Sequence, residues 1–534
     1  MRRGTLGALA LCAAAAAWAQ DPRVIDLGEP APELPEWSAL GVPGEDVHLS
    51  GDPPQLRPAR RSEALDAIER WLDERGIEAR VERSDMRFLT DAANAAVLER
   101  CLAPLRAQLV DRPLLRVTLV PLEPAEAAQL PLGQLPERVA AQLAQRAPLA
   151  RLAARARGGW LNARAVDGQE QLVDYEVDQN GMLPVRTPRL QRVNAGVAAR
   201  LRVTRQADGT LRAEGVLEFA RALDGKRVSF DGQPLDLPVA DRLRLVGTWC
   251  LPSGRPVLVA ACSVANPSGY GAWGLVLQVE AQPLPAPAGE GEFVWLHDLG
   301  PLLPPSYTAV DRYDPFRRVV GRGSQLDGAD PLADAELRLP ETRTWLSRVL
   351  ERADFPGIRA LSPDDTRLYA VGTRASQLSL ATLIASKLPE VRTLRAQVGL
   401  GDEPPGVLRL QVVRGRPACV LVGREARELV GSETLAGGTE QHAAEVALPT
   451  LLAEPEGFEL WVQAGAGDQL SAEGRLQAVR GRETLDTKWG PFVQLQRQRL
   501  RLAGEGVCAP GAPLELGRGP WGDGTAWARV KVEQ

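Results

Sequence analysis

The chain has 534 residues, with 63 Lys and Arg against 68 Asp and Glu for a net charge of -5. That length exceeds one ordinary domain. The net negative charge gives no electrostatic reason to expect nucleic acid, whose phosphates call for a basic face. A hydrophobic fraction of 44% with 25% charged residues is that of a globular protein, and the cations are nearly all Arg.

Residues 1–19 read as a signal peptide: Arg2 and Arg3, an apolar run from Leu6, then Ala17-Trp18-Ala19 as the cleavage site. This predicts export, to the periplasm or into association with the outer membrane, with cleavage near Ala19. Cys12 follows bulky Leu11, which does not suit lipidation. No later segment is apolar for long enough to cross a bilayer as a helix. Removing the leader leaves Cys101, Cys250, Cys262, Cys419 and Cys508, too few and too scattered for a disulfide framework. They read as buried thiols.

Residues 20–61 form a Pro-rich segment containing Val24-Ile25-Asp26-Leu27-Gly28. From 62 to 123 the pattern is helix, strand, strand, helix, strand. Leu65, Ile68, Trp71 and Leu72 recur at helical spacing, and Gly76 stops that helix. Val81 and the run Met86, Phe88, Leu89 fit two short strands. Thr90 reads as the N-cap of a second helix burying Val97, Leu98, Cys101, Leu102, Leu105 and Leu109, which Pro104 should kink or split. Leu115, Val117 and Leu119 face one way on the closing strand.

Residues 124–159 read as a helical insert. From 160 to 282 the pattern becomes an antiparallel β unit, with hairpin turns expected at Asn180-Gly181, Asp208-Gly209, Asp224-Gly225 and Asp231-Gly232. Val197, Ala199, Leu201 and Val203 alternate with Arg200 and Arg202. Pro252 to Arg255 reads as a further hairpin turn, flanked by Cys250 and Cys262.

The order then recurs. Residues 283–340 are a linker ending the first copy and opening the second, with Val294-Trp295-Leu296-His297-Asp298-Leu299-Gly300 matching the segment around Asp26. A second αββαβ unit spans 341–400. In it Trp345 stands for Trp71, Pro356-Gly357 for Gly76 and Thr373 for Thr90, while Leu394, Ala396 and Val398 stand for the closing strand. A second antiparallel β unit spans 401–534, where Arg499-Leu500-Arg501-Leu502 repeats Arg242-Leu243-Arg244-Leu245. Self-similarity over whole supersecondary units reads as a duplication. The expected fold class is α+β: two tandem repeats, each a small αββαβ (KH-like) unit followed by an antiparallel β-rich unit.

Chemistry-bearing patterns are weak. Glu176-Val-Asp178-Gln-Asn180-Gly181 resembles the start of a calcium loop, but Thr187 stands where a bidentate Glu is needed, so a plain hairpin is the better reading. His48, His297 and His442 fall in expected loops and have no partners at metal-ligand spacing. Asp364-Asp365 reads as a solvated turn. No catalytic residue, cofactor site or metal site is assigned, and the chain is read as a non-enzyme. The 12 Trp allow an alternative, an exported glycan- or peptide-binding module using Trp249, Trp273, Trp461, Trp489, Trp521 and Trp527 of the β units.

The element order, the strand Pro238-Val239-Ala240-Asp241-Arg242-Leu243-Arg244 and the turn Pro252-Ser253-Gly254-Arg255 together resemble the bacterial secretins. Val193-Asn194-Ala195-Gly196 to Leu217 and Pro238 to Val259 follow that family's β-region pattern, as Leu448 to Leu476 and Pro491 to Leu516 do more weakly. The resemblance implies that the αββαβ units are ring-building periplasmic units. It also implies that the protein acts by homo-oligomerisation or by docking onto other envelope proteins in secretion, with contact to the outer membrane. The chain departs from the family in carrying two abbreviated copies, without the membrane-lip sequence or a pilotin segment.

Overall fold

Leu65, Ile68, Trp71 and Leu72 are all buried along α1 (Pro58–Asp73), as their spacing requires. The helix closes where the Ile77 amide donates to the Leu72 carbonyl and Gly76 takes φ +69°. The computed structural model describes residues 23–26, 58–82, 87–156, 160–178, 185–205, 210–263, 271–281, 291–298, 357–364, 367–386, 390–400, 406–414, 416–439, 442–464, 469–507, 512–521 and 524–533. Among these no helix is long and apolar enough to cross a membrane, which leaves open any crossing by strands.

Strands β1 (Arg23–Asp26), β2 (Ala79–Glu82) and β3 (Arg87–Thr90) form a small antiparallel sheet ordered β1-β3-β2. The next helix, α2 (Ala92–Val110), is capped by Asp91 and not by Thr90. The Asp91 carboxylate accepts the Asn94 amide at 2.8 Å, whereas the Thr90 hydroxyl donates to the Glu78 carbonyl. Pro104 lies inside α2 without splitting it. The helical insert is helical only in part: α3 (Pro124–Gln129), β5 (Gly133–Gln134) and α4 (Glu137–Ala144) lead into strand β6 (Ala150–Arg155).

Further along, β13 (Glu292–Asp298), β14 (Arg359–Asp364) and β15 (Arg367–Thr373) form a second small sheet, ordered β13-β15-β14, ahead of α5 (Arg374–Ser386). Its order matches that of the first, with Thr373 and Ser376 paired at the start of α5 where Asp91 caps α2. The expected counterparts Trp345 and Pro356 lie outside the described residues. The helices of the first unit lie between their own sheet and the sheet of the second. Tyr369 and Val371 of β15 therefore join the first unit's core, while the alternate residues Leu368 and Ala370 are buried on the opposite face, toward α5. Arg75 pairs with Glu292 and Arg359 with Glu74 across this boundary.

The α+β expectation is overturned, because strands dominate and most of them belong to two large antiparallel sheets. The closing strands are the first reason. Both β4 (Leu114–Pro121) and β16 (Val391–Leu400) leave the small units, so neither unit is a self-contained αββαβ fold. They join a nine-stranded sheet with β11 (Pro256–Cys262), β12 (Trp273–Glu280), β17 (Gly406–Val413), β22 (Leu514–Trp521) and β23 (Gly524–Glu533). Its order is β22-β23-β16-β17-β11-β12-β4-β6, with β5 also pairing β11. The second reason is strand length. An eight-stranded sheet is built from β7 (Trp160–Asp178), β8 (Val185–Arg205), β9 (Leu211–Phe230), β10 (Gln233–Leu251), β18 (Pro417–Thr439), β19 (His442–Ala464), β20 (Gln469–Thr487) and β21 (Gly490–Val507). Its order is β21-β20-β19-β18-β10-β9-β8-β7.

The two large sheets share one core. Leu115, Val117 and Leu119 of β4 and Leu394, Ala396 and Val398 of β16 meet Leu201, Leu217, Leu243 and Val420 of the opposite sheet. Alternation thus put the closing strands where the larger apolar face was. α3 and α4 cover part of the nine-stranded sheet's other face through Ala127 and Leu143.

Two expected hairpins did not form, although the Arg255 amide donates to the Pro252 carbonyl across a tight turn with Gly254 at φ +77°. Asp224-Gly225 runs inside β9, close to a bulge, and a Cβ at Gly225 would press on the Leu237 carbonyl at 2.6 Å. Pro252 to Arg255 is a corner that carries the chain from β10 in one large sheet to β11 in the other, so Cys250 and Cys262 lie in different sheets. Asp231-Gly232 does turn, with φ +50° and +75°.

Candidate assembly edges

Each large sheet is two four-stranded blocks laid head to tail. In the eight-stranded sheet β7-β8-β9-β10 and β18-β19-β20-β21 are both meanders, and they meet where β10 pairs antiparallel with β18. One row of residues crosses the whole sheet: Val166, Gly196, Ala220, Arg242, Gly423, Gly457, Gln477 and Arg499. Its first four members occupy the same places in their block as its last four. Gly196 and Gly457 both have positive φ, at +131° and +154°. At Gly457 a side chain would collide with the Val422 carbonyl.

The row also marks a change of construction. Below it all eight strands pair continuously; above it β8 no longer pairs with β9, nor β19 with β20. Beyond Val239 opposite Ala426, where the β10–β18 pairing also ends, the hairpins continue as separate two-stranded ribbons. Two of them carry an extra residue at matching places, Val173 in β7 and Val430 in β18. Two ribbon tips, β9–β10 at Phe230 and Leu235 and β20–β21 at Trp489 and Phe492, pack together against the middle of the β18–β19 ribbon at Leu429 and Ala447.

The nine-stranded sheet repeats the logic. β11-β12-β4-β6 and β22-β23-β16-β17 are equivalent blocks, with bulges at Val259 and Leu516. They join where β11 pairs with β17, Ala260 opposite Leu410 and Cys262 opposite Leu408. In both sheets the seam consumes one kind of edge from each block. The outer ends, β7 and β6 on one side and β21 and β22 on the other, are therefore the unlike complements of each other.

Charge reinforces the β10–β18 seam. Asp241 is completely buried and receives Arg221 at 2.7 Å from β9 and Arg424 at 3.1 Å from β18. Arg242 and Glu425 pair across the same seam at 2.9 Å. Sequence reading missed this triad, although the aligned copies carried a signal: Asp241 and Arg221 fall where the second block has Gln498 and Ala478.

The expected ligand residues do not converge. Trp249, Trp273 and Trp521 are in the inter-sheet core. Trp461 packs beside Val216, Val246 and Cys419, Trp489 sits in the ribbon-tip cluster, and Trp527 lies against Gly399 with Arg529 stacked on its ring. These rings form no shared platform. Asn180, Gly181, Asp365, His48, Cys12 and Cys508 lie outside the described residues. His442 opens β19, and His297 is in no loop but on β13, buried, with Nε2 at 2.7 Å from Gln377 Oε1. Burial holds its imidazole down at about 4, against the opposing hydrogen bond, so the ring is neutral at pH 7. Cys101, Cys250, Cys262 and Cys419 are thiols and not disulfides, and burial pushes the Cys101 thiol up. Among the described residues no three His, Cys, Asp or Glu are grouped to hold a metal. Compared with known proteins, the chain matches no family model, no curated protein and no solved structure.

Proposed function

We propose that the chain is an exported, non-enzymatic protein of the cell envelope, related to secretins, which acts by self-association or by docking onto secretion and envelope machinery. The observation that carries this reading is the head-to-tail seam. In both large sheets the same block follows itself, and unlike edges remain at the two ends. A contact between unlike surfaces does not use itself up when two copies meet. It repeats until the rotation closes a ring, or it grows a filament. The small units follow the same logic, since the second unit's sheet covers the first unit's helices. The apolar leader ending at Ala19 supports export, and the Trp rings of the β units are spread over separate clusters.

Size-exclusion chromatography with light scattering on the mature chain, from residue 20 onward, tests the proposal. Self-association at micromolar concentration is expected. A strictly monomeric chain that also fails to co-sediment with isolated envelopes would overturn it.

A further inference from the structure

The seam specifies more than association, because it contains a worked example of the contact. We infer that the β21 and β22 edges of one chain accept the β7 and β6 edges of a second copy, in the register already used inside the chain. This rests on the self-association reading above and fixes its partner and geometry.

The register follows from the row of equivalent residues. Within the chain Arg242 stands opposite Gly423, with Leu243 opposite Val422 and Leu245 opposite Val420. Arg499 holds in β21 the place of Arg242, and Val166 holds in β7 the place of Gly423. A second copy continuing the sheet therefore sets Leu500 opposite Ala165 and Leu502 opposite Ala163. The apolar face stays continuous, since Leu502 is in the inter-sheet core and Leu500 and Ala163 pack against it. In the other layer Gly517 and Arg518 hold the places of Ala260 and Ala261, while Ala154 and Ala153 hold those of Leu410 and Arg409. Arg518 then meets Ala153. β6 neighbours β7, and β21 neighbours β22, so each end of the sandwich presents the same kind of edge in both layers.

β21 carries Arg497, Arg499 and Arg501 against one carboxylate, Glu505, so two β21 edges repel each other. Charges on exposed edges ordinarily block indiscriminate pairing. The single like-charged opposition in this register, Arg501 with Arg164, is relieved by Glu473, which holds Arg501 at 2.7 Å.

Disulfide trapping on the full mature chain tests the register. Three double variants are made: Ala165→Cys with Leu500→Cys, Ala153→Cys with Arg518→Cys, and Leu243→Cys with Val422→Cys as the internal control for this spacing. After mild oxidation the first two are expected to give ladders of chain multiples on non-reducing gels, with 165–500 and 153–518 links identified by mass spectrometry. The control links within one chain. Mixing separate Ala165→Cys and Leu500→Cys chains should yield dimers and nothing longer. If the chains associate by light scattering and the control links, but neither edge pair does, the inferred partner edges are wrong while self-association stands. If the wild-type chain does not associate, this inference fails, and the reading beneath it stands only if the chain co-sediments with isolated envelopes.

Discussion

The β10–β18 seam and the outer strands β7 and β21 are the same edges in the same blocks, yet they differ in chemistry. The seam has a completely buried carboxylate between two guanidinium groups, and it sits in the chain once. At the corresponding place β21 offers Gln498, whose side chain donates to the Pro520 carbonyl at 3.0 Å and accepts from Arg480 at 2.8 Å. A buried ion triad is costly to break and tolerates no misregister. An edge bearing spread, solvated charge forms and releases more readily. The difference teaches that equivalent strands of the two blocks can carry a buried ion triad at one edge and neutral Gln498 and Ala478 at the other.

Three measurements sharpen or break that contrast. Asp241→Ala should be the most damaging, because it leaves Arg221 and Arg424 facing each other. Discounting the usual penalty for the partial exposure of both arginines gives a loss of about 3 kcal/mol in denaturant unfolding. Gln498→Ala, at the equivalent position, should lose about 1 kcal/mol. Equal losses would erase the distinction between seam and edge.

Gly457→Ala should cost about 2 kcal/mol, since the new Cβ meets the Val422 carbonyl across the β18–β19 ladder. A neutral result would mean that the row of equivalent residues is not a geometric constraint.

The third measurement separates the small units from the large sheets. The His297 imidazole sits at about 4 when folded, below its ordinary unfolded value near 6.5. Its contribution is fully present above about pH 6.5 and is lost as pH falls from there toward 4, because the unfolded state then binds the extra proton. The loss between pH 7 and pH 5 should be about 2 kcal/mol, and His297→Gln should flatten it. An unchanged slope in the variant would place the acid sensitivity elsewhere.

Much of the β architecture was legible because period-two alternation is local. The apolar sets Val197 to Val203 and Leu211 to Phe219 became β8 and β9 with the expected faces inward. What alternation could not say was which sheet a strand would enter. Leu115, Val117 and Leu119 fit a small unit equally well on paper, but the larger apolar face lay between the big sheets. Turn chemistry misled at Asp224-Gly225, where the Gly serves a close backbone approach inside a long strand, and at Gly254, where it serves a corner between layers. His297 was assigned to a loop because its strand is short and its partner, Gln377, is distant in sequence. The repeat of Arg242-Leu243-Arg244 at Arg499 pointed to equivalent edges. The departure at Asp241 marked the seam, but its meaning required knowing that β10 meets β18.

Gly196 and Gly457 have a mechanical consequence. Below them the eight strands are clamped by the sandwich core, and above them the hairpins are two-stranded ribbons joined at scattered points, such as the cluster around Phe230 and Leu429 and the bridge from Arg482 to Glu428 and Glu456. Two-stranded ribbons are weak alone and bend easily. A load applied at the tips is therefore absorbed at the two glycines as a change in ribbon angle, and the base beneath keeps its shape: the row behaves as a decoupler, letting the rim yield while the foundation stays rigid.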